Sequence, residues 1–265
     1  MAMKADEKTI QIRNYIESPL QVYSYGGGTQ SSAGLLWIAD GLLPKPDLVI
    51  HSDTMAEMPS TEALISDWAR DYTEDVLGIP FVVVRSHRGS IYDDYFRKGA
   101  IPLMGIRSCT ANFKIAPQRR FIRSIVGKQN GVLLAECWLG ITTDEERRRT
   151  KSDVKWCGLK YPLLDIMSVS RQDCIDRLVE EGLHVSKSGC YHCPYAGTTF
   201  YRSLRDEHPD LFQKALDLEA NAERVVLERR GVPLRMGLVQ GKKLSMLDDL
   251  ELPDSTCDSG AGCFI

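Results

Sequence analysis

The chain has 265 residues, 43% of them hydrophobic, enough to bury a sizeable core as one α/β domain with extensions. A net charge of −3 and a pI of about 6.0 exclude the strongly basic composition that advertises a polyanion partner. No apolar run approaches the ~20 residues of a membrane span. The polar lead-in from Met1 to Asn14 lacks a signal-peptide core, so a cytoplasmic location without membrane partners is expected. Eight cysteines in such a chain point to metal or redox chemistry rather than a disulfide scaffold.

The first predicted strand, over 20–24, runs into Gly26-Gly27-Gly28, and a helix over about 31–41 opens at Ser31-Ser32. Glycines allow positive φ and let backbone N–H groups approach a ligand, while the following helix directs its dipole to the same place. This pattern is a phosphate cradle, or a Gly-rich turn that binds nothing; it is not a Walker A loop, because no Gly-Lys-Ser/Thr follows. A second strand over 47–51 delivers Ser52-Asp53-Thr54 at its end, and a helix starts after Pro59. A third strand covers 81–85, a basic helix lies near 116–126, and a fourth strand covers 132–138. Strands alternating with helices predict a parallel, doubly wound sheet, with ligands at the carboxyl ends of its strands. From about 140 the pattern changes to loops and helices, near 170–182, 198–206 and 209–230. The predicted division is an α/β domain over 1–160 and a helical, cysteine-bearing extension over 161–265.

Cys109, Cys190 and Cys193 are the candidate soft ligands. Such thiolates suit an iron–sulfur cluster or zinc, and a lone C-x-x-C equally suits a redox pair. Cys137 and Cys174 read as buried core thiols, and Cys157 is ambiguous. Of five scattered histidines, only His192, inside the Cys190–Cys193 knuckle, is a candidate ligand. The basic runs Arg119–Arg123 and Arg147–Lys151 are either solvated faces or polyanion contacts.

Several segments resemble the N-type ATP pyrophosphatases and their relatives, the PAPS/APS reductases. Gly26-Gly27-Gly28-Thr29-Gln30-Ser31 resembles the S-G-G-x-D-S loop, with Gly26 for its serine and Gln30 for its aspartate. Asp53-Thr54, with Glu57, Pro59 and Thr61, resembles the family's adenosine-lining segment. Cys109, Lys114 and Pro117 match a reductase segment of paired cysteines and R-K-x-x-P, in which Ser108 replaces one cysteine. Leu139–Arg149 resembles G-I-R-x-D-E-S-x-x-R, with Arg149 as the expected phosphate contact, and Tyr161–Asp165 resembles Y-P-L-x-D/E-W. The resemblance spans roughly residues 20–200.

It implies an adenine-nucleotide-binding α/β fold. ATP or a related adenine nucleotide, with Mg2+, is expected at Tyr25, Gly26, Gly27, Gly28, Gln30, Ser31, Ser32, Asp53, Thr54 and Arg149. A cluster, of the 4Fe-4S type, is expected on Cys109, Cys190 and Cys193, with Cys263 or Cys257 completing the set or one iron left open. Cys263, Lys114 and Arg149 are the expected catalytic groups. The implied reaction is adenylation of a nucleobase-like or nucleic-acid acceptor, then thiolation from the cluster or a persulfide. The alternatives are sulfonucleotide reduction and a non-catalytic nucleotide-binding subunit of a DNA-modification or defence assembly. A sulfur- or electron-donor protein and a homodimer are the remaining expected partners.

Overall fold

Five short strands form one sheet, β1 (Leu20–Tyr25), β2 (Leu48–Asp53), β3 (Phe81–Arg85), β4 (Ala135–Trp138) and β5 (Cys157–Lys160). In the computed structural model, which describes residues 15, 17–186 and 188–251, all neighbouring strands run parallel in the order β3-β2-β1-β4-β5. Eight α-helices accompany them among the described residues, besides short π- and 3-10-helical turns: α1 (Thr29–Ala39), α2 (Pro59–Leu64), α3 (Ile91–Lys98), α4 (Ala116–Val126), α5 (Pro162–Asp165), α6 (Arg171–Glu180), α7 (Thr198–Glu207) and α8 (Pro209–Arg230). This is the doubly wound α/β class that the alternating pattern predicts. The strand order reverses between β1 and β4, so the crevice at that switch point opens beside the Gly loop.

Both faces of the sheet are covered, which is why β1 and β2 are buried along almost their whole length, polar residues included. On one face Tyr23, Tyr25 and Val49 pack with Leu35 and Leu36 of α1 and with Cys174 and Leu178 of α6. Helix α6 starts cleanly because Ser170 and Asp173 form a reciprocal capping box. On the other face Val22, Leu48, Ile50 and Cys137 pack with Ile122 of α4. A third cluster joins Tyr95 of α3 and Phe113 to Tyr201 of α7 and Leu218 of α8. The C-terminal helices are thereby fixed to the segment that carries Cys109.

Two predicted features are corrected. The fourth strand begins at Ala135 rather than 132. Beyond 140 the chain is not only loops and helices, because Cys157–Lys160 adds an edge strand beside β4. Four residues, Cys-Gly-Leu-Lys, are too few for a period-2 signal to stand out. The strand also settles Cys157: it is a buried core thiol, its Sγ 3.3 Å from that of Cys137. The expected tail ligands Cys257 and Cys263 lie outside the described residues.

Candidate functional site

The Gly loop is tightly built. Gly27 has φ of 70°, and a Cβ there would stand 2.7 Å from Thr61 Cγ2, so glycine is required both for conformation and for space. Gly28 caps α1 in an extended conformation, and a Cβ on it would meet Ser188 Oγ at 2.7 Å. Gly26 faces open space. The Ser31 hydroxyl accepts from Gly28 N–H at 3.2 Å and donates to Gly28 O at 3.0 Å. Ser32 is fully buried and shares a 2.9 Å hydrogen bond with the Tyr25 hydroxyl. Burial pushes the Tyr25 phenol far above its ordinary range, so it stays neutral. Gln30 donates to Glu145 Oε2 at 3.2 Å, which ties the start of α1 to the turn after β4.

At the β2 exit, Asp53 accepts from Met55 N–H at 2.7 Å and from Arg85 Nε at 2.7 Å. Thr54 donates to Glu57 Oε1 at 2.9 Å, and its Oγ1 also lies 3.3 Å from Cys190 Sγ. The knuckle is clamped to this exit by backbone pairing, with Met58 N–H to Gly189 O and Tyr191 N–H to Ala56 O. Glu57 is buried, its Oε2 has no hydrogen-bond partner, and Lys114 Nζ stands 4.0 Å from its Oε1. His51, on β2 beneath this exit, meets Tyr25 O through Nδ1 at 3.0 Å, and burial lowers its pKa.

Cys109, Cys190, Cys193 and Lys114 line one cavity of about 30 Å3 at the foot of the knuckle. Residues far apart in sequence therefore share a wall, because 189–191 pairs with 56–58 and Cys109 precedes the π-helical turn Thr110–Ile115. His192 lines the same cavity; it is buried, neither ring nitrogen has a hydrogen-bond partner, and burial pushes its pKa down to about 4. Three thiols on one small cavity match a thiophilic centre in donor chemistry. They are not assembled as a cage, since among the described residues no group of three or more His, Cys, Asp and Glu side chains is arranged to hold a metal ion.

The β4 exit carries the other polar feature. A short 3-10 turn, Thr143–Arg148, buries Glu145 and Arg148 as an ion pair, with side chains 5% and 2% exposed. The neighbouring Arg149, the motif-matched arginine, instead points outward, pairs with Asp165 at 2.6 Å and lies over the Tyr161 ring. Arg148 lines a cavity of about 380 Å3 together with Arg107, Arg119, Lys151 and Asp153. The sequence reading missed three of these features: the Glu145–Arg148 pair, Ser188 over Gly28, and the position of Arg107. The first had a signal in the Arg147–Arg149 run; the others depend on long-range packing that no local pattern records.

No protein-family model matches the sequence, and no curated protein matches it. Solved structures similar to it include the following two. One is the crystal structure of phosphoadenylyl-sulfate (PAPS) reductase from Candida auris in a phosphate complex, with TM-score 0.45 and 12% identity, covering 72% of this chain and 98% of that one. The other is the U34-tRNA thiolase NcsA from Methanococcus maripaludis with its 4Fe-4S cluster, with TM-score 0.41 and 14% identity, covering 94% of this chain and 87% of that one.

Proposed function

We propose that the protein is an adenine-nucleotide-dependent sulfur-transfer enzyme. The observation that carries this reading is the contact between the nucleotide-loop side and the thiol side: Thr54 Oγ1 lies 3.3 Å from Cys190 Sγ, and Ser188 abuts Gly28. A nucleotide on Gly27, Gly28 and Ser31 has its reacting phosphate close to a set of thiols.

In this reading the free backbone N–H groups at the start of α1 hold the phosphates. Asp53 and Thr54 orient the adenosine, and Lys114 offsets negative charge beside Glu57. An acceptor carbonyl oxygen attacks the α-phosphate, pyrophosphate leaves, and a sulfur nucleophile displaces AMP from the activated carbon. Cys109, Cys190 and Cys193 are the proposed sulfur-bearing groups, as ligands of an iron–sulfur cluster or with one of them as a persulfide loaded by a sulfur-donor protein. In the persulfide case a second thiol of the set cleaves the S–S bond after attack, leaving sulfur on the acceptor and a disulfide that an external thiol reduces. When bound, such a cluster supplies sulfide-type sulfur at that wall.

Protein purified anaerobically is incubated with ATP and pooled RNA, or with PAPS, and assayed for pyrophosphate, AMP and sulfite. ATP- and RNA-dependent release of pyrophosphate and AMP is expected. Sulfite from PAPS identifies a sulfonucleotide reductase instead, and tight ATP binding without turnover identifies a sensor. Iron content and the visible spectrum of Cys109→Ser, Cys190→Ser and Cys193→Ser test the cluster separately: each is expected to lose iron, and iron-free wild type overturns it.

A further inference from the structure

The 380 Å3 cavity at the β4 exit lies within the usual range of small-ligand sites, about 300–1,000 Å3. Its position is set by two shared walls. Leu139 and Ile141 line it, while the intervening Gly140 packs on Gln30 and Ser31 at the start of α1, so the single chain segment Leu139–Ile141 stands between it and the start of the helix that follows the Gly loop. Thr110 lines both this cavity and the thiol cavity, with Cys109 on one side of it and Ala111 on the other. The cavity thus adjoins both the expected nucleotide site and the thiols.

Its lining combines two chemistries. Ala111, Ile115, Leu139, Ile141 and Leu159 supply apolar walls. Four cationic side chains face one carboxylate, and the pairing is uneven. Arg119 answers Asp153 and Arg148 answers Glu145, whereas Arg107 and Lys151 have no ion-pair partner among the described residues. Arg107 Nε is buried without a hydrogen-bond partner, and its backbone is held at φ of 51°, a conformation non-glycine residues adopt only when their surroundings impose it. Surplus positive charge above apolar walls, with the Thr110, Thr150 and Ser152 hydroxyls alongside, suits a flat ring carrying a sugar and a phosphate.

The geometry points to this cavity as the acceptor subsite, binding a nucleotide unit with its phosphate on Arg107 and Lys151 and its base against Leu139 and Ile141. The assignment rests on the sulfur-transfer reading for its role, but the binding itself does not require it. Such a unit is either a free nucleotide or one residue of a polynucleotide, and the shared chemistry is the same.

The test uses the full chain with a non-hydrolysable ATP analogue in excess, so that the Gly loop is not open to the probe. Uridine 5′-monophosphate, uridine and a short oligouridylate are titrated by calorimetry. The monophosphate or the oligomer is expected to bind, and uridine to bind about tenfold more weakly or worse, as loss of a charge-assisted hydrogen bond predicts. Binding of the monophosphate alone identifies a free nucleotide, and binding of the oligomer alone a polynucleotide. Arg107→Gln and Lys151→Glu are each expected to weaken the bound probe about tenfold, with ATP-analogue affinity and melting temperature unchanged. Binding of neither phosphorylated probe, equal binding of uridine, or equal binding by both variants overturns the assignment. Gly27→Val separates the two readings: it is expected to abolish ATP binding while the probe still binds. A wild type that binds the probe but never ATP defeats the sulfur-transfer reading and leaves the subsite standing.

Discussion

The Gly loop, with the helix start it leads into, and the cationic cavity lie on either side of the segment Leu139–Ile141, yet they are built differently. The loop's polar groups already have partners within the protein: Ser31 bonds Gly28, Ser32 bonds Tyr25, and Gln30 bonds Glu145. Its remaining capacity is the backbone at the helix start. The cavity is the reverse case, with Arg107 and Lys151 carrying charge that no carboxylate among the described residues answers. A phosphate site made from a loop depends on backbone shape, and one made from side chains depends on charge. Substitutions should therefore act through strain on one side of that segment and through electrostatics on the other.

The largest effect is expected where the two meet, at Glu145–Arg148. Both side chains are buried, so Arg148→Met takes from the Glu145 carboxylate the cation that answers it and leaves Gln30 as its neutral partner, at a cost of about 3–5 kcal/mol in urea unfolding. The double variant Glu145→Leu/Arg148→Met is expected to recover most of that loss; if it is no more stable than the single variant, the pair does not act as a unit. Gly27→Val comes next. It must hold a β-branched residue at φ of 70° and place Cβ 2.7 Å from Thr61 Cγ2, so stability should fall by roughly 1–3 kcal/mol. Calorimetry should show no ATP binding, and wild-type affinity in this variant removes the loop from the site. Gly26→Ala, which meets nothing within 4 Å, is the matched control.

How much of this was legible follows the same division. Strands β1 to β3, α1 and the Gly loop were readable because each is a contiguous run whose period or turn chemistry is local. The meeting of Cys109 with Cys190 and Cys193 was legible as spacing within a resemblance. Its physical basis, the pairing of Met58 with Gly189 and of Tyr191 with Ala56, was not. The cavity draws on residues 106–119, 139–141 and 148–159, none of which is a motif for it. Arg148 and Arg149 are adjacent and chemically identical, and only the 3-10 turn decides which one is buried.

A smaller effect concerns pH. Burial lowers the pKa of His51 below its ordinary value of 6.5, so the unfolded chain binds a proton there more readily than the folded one. The stability contributed by neutral His51 is complete above about pH 6.5 and is lost as pH falls from there toward the lowered value. His51→Gln is expected to flatten the pH dependence of the urea midpoint in that window, and an unchanged slope assigns the titration to other groups.

The smallest effect is expected at Arg149, and it sharpens the contrast most. Its guanidinium is half exposed and engaged with Asp165 through both NH groups, at 2.6 and 3.2 Å. Exposed pairs of this kind contribute about 0–1 kcal/mol, so Arg149→Gln should change the urea midpoint little. If the pairing with Asp165 persists when nucleotide binds, ATP affinity should stay within about twofold of wild type, since no charge-assisted contact is lost. A drop of about tenfold or more without a change in stability means that Arg149 leaves Asp165 to take a phosphate. Asp165→Asn separates these outcomes. It frees the guanidinium, so it should raise ATP affinity if Arg149 is a phosphate contact held in reserve and leave it unchanged if the pair only fixes the start of the turn toward Tyr161.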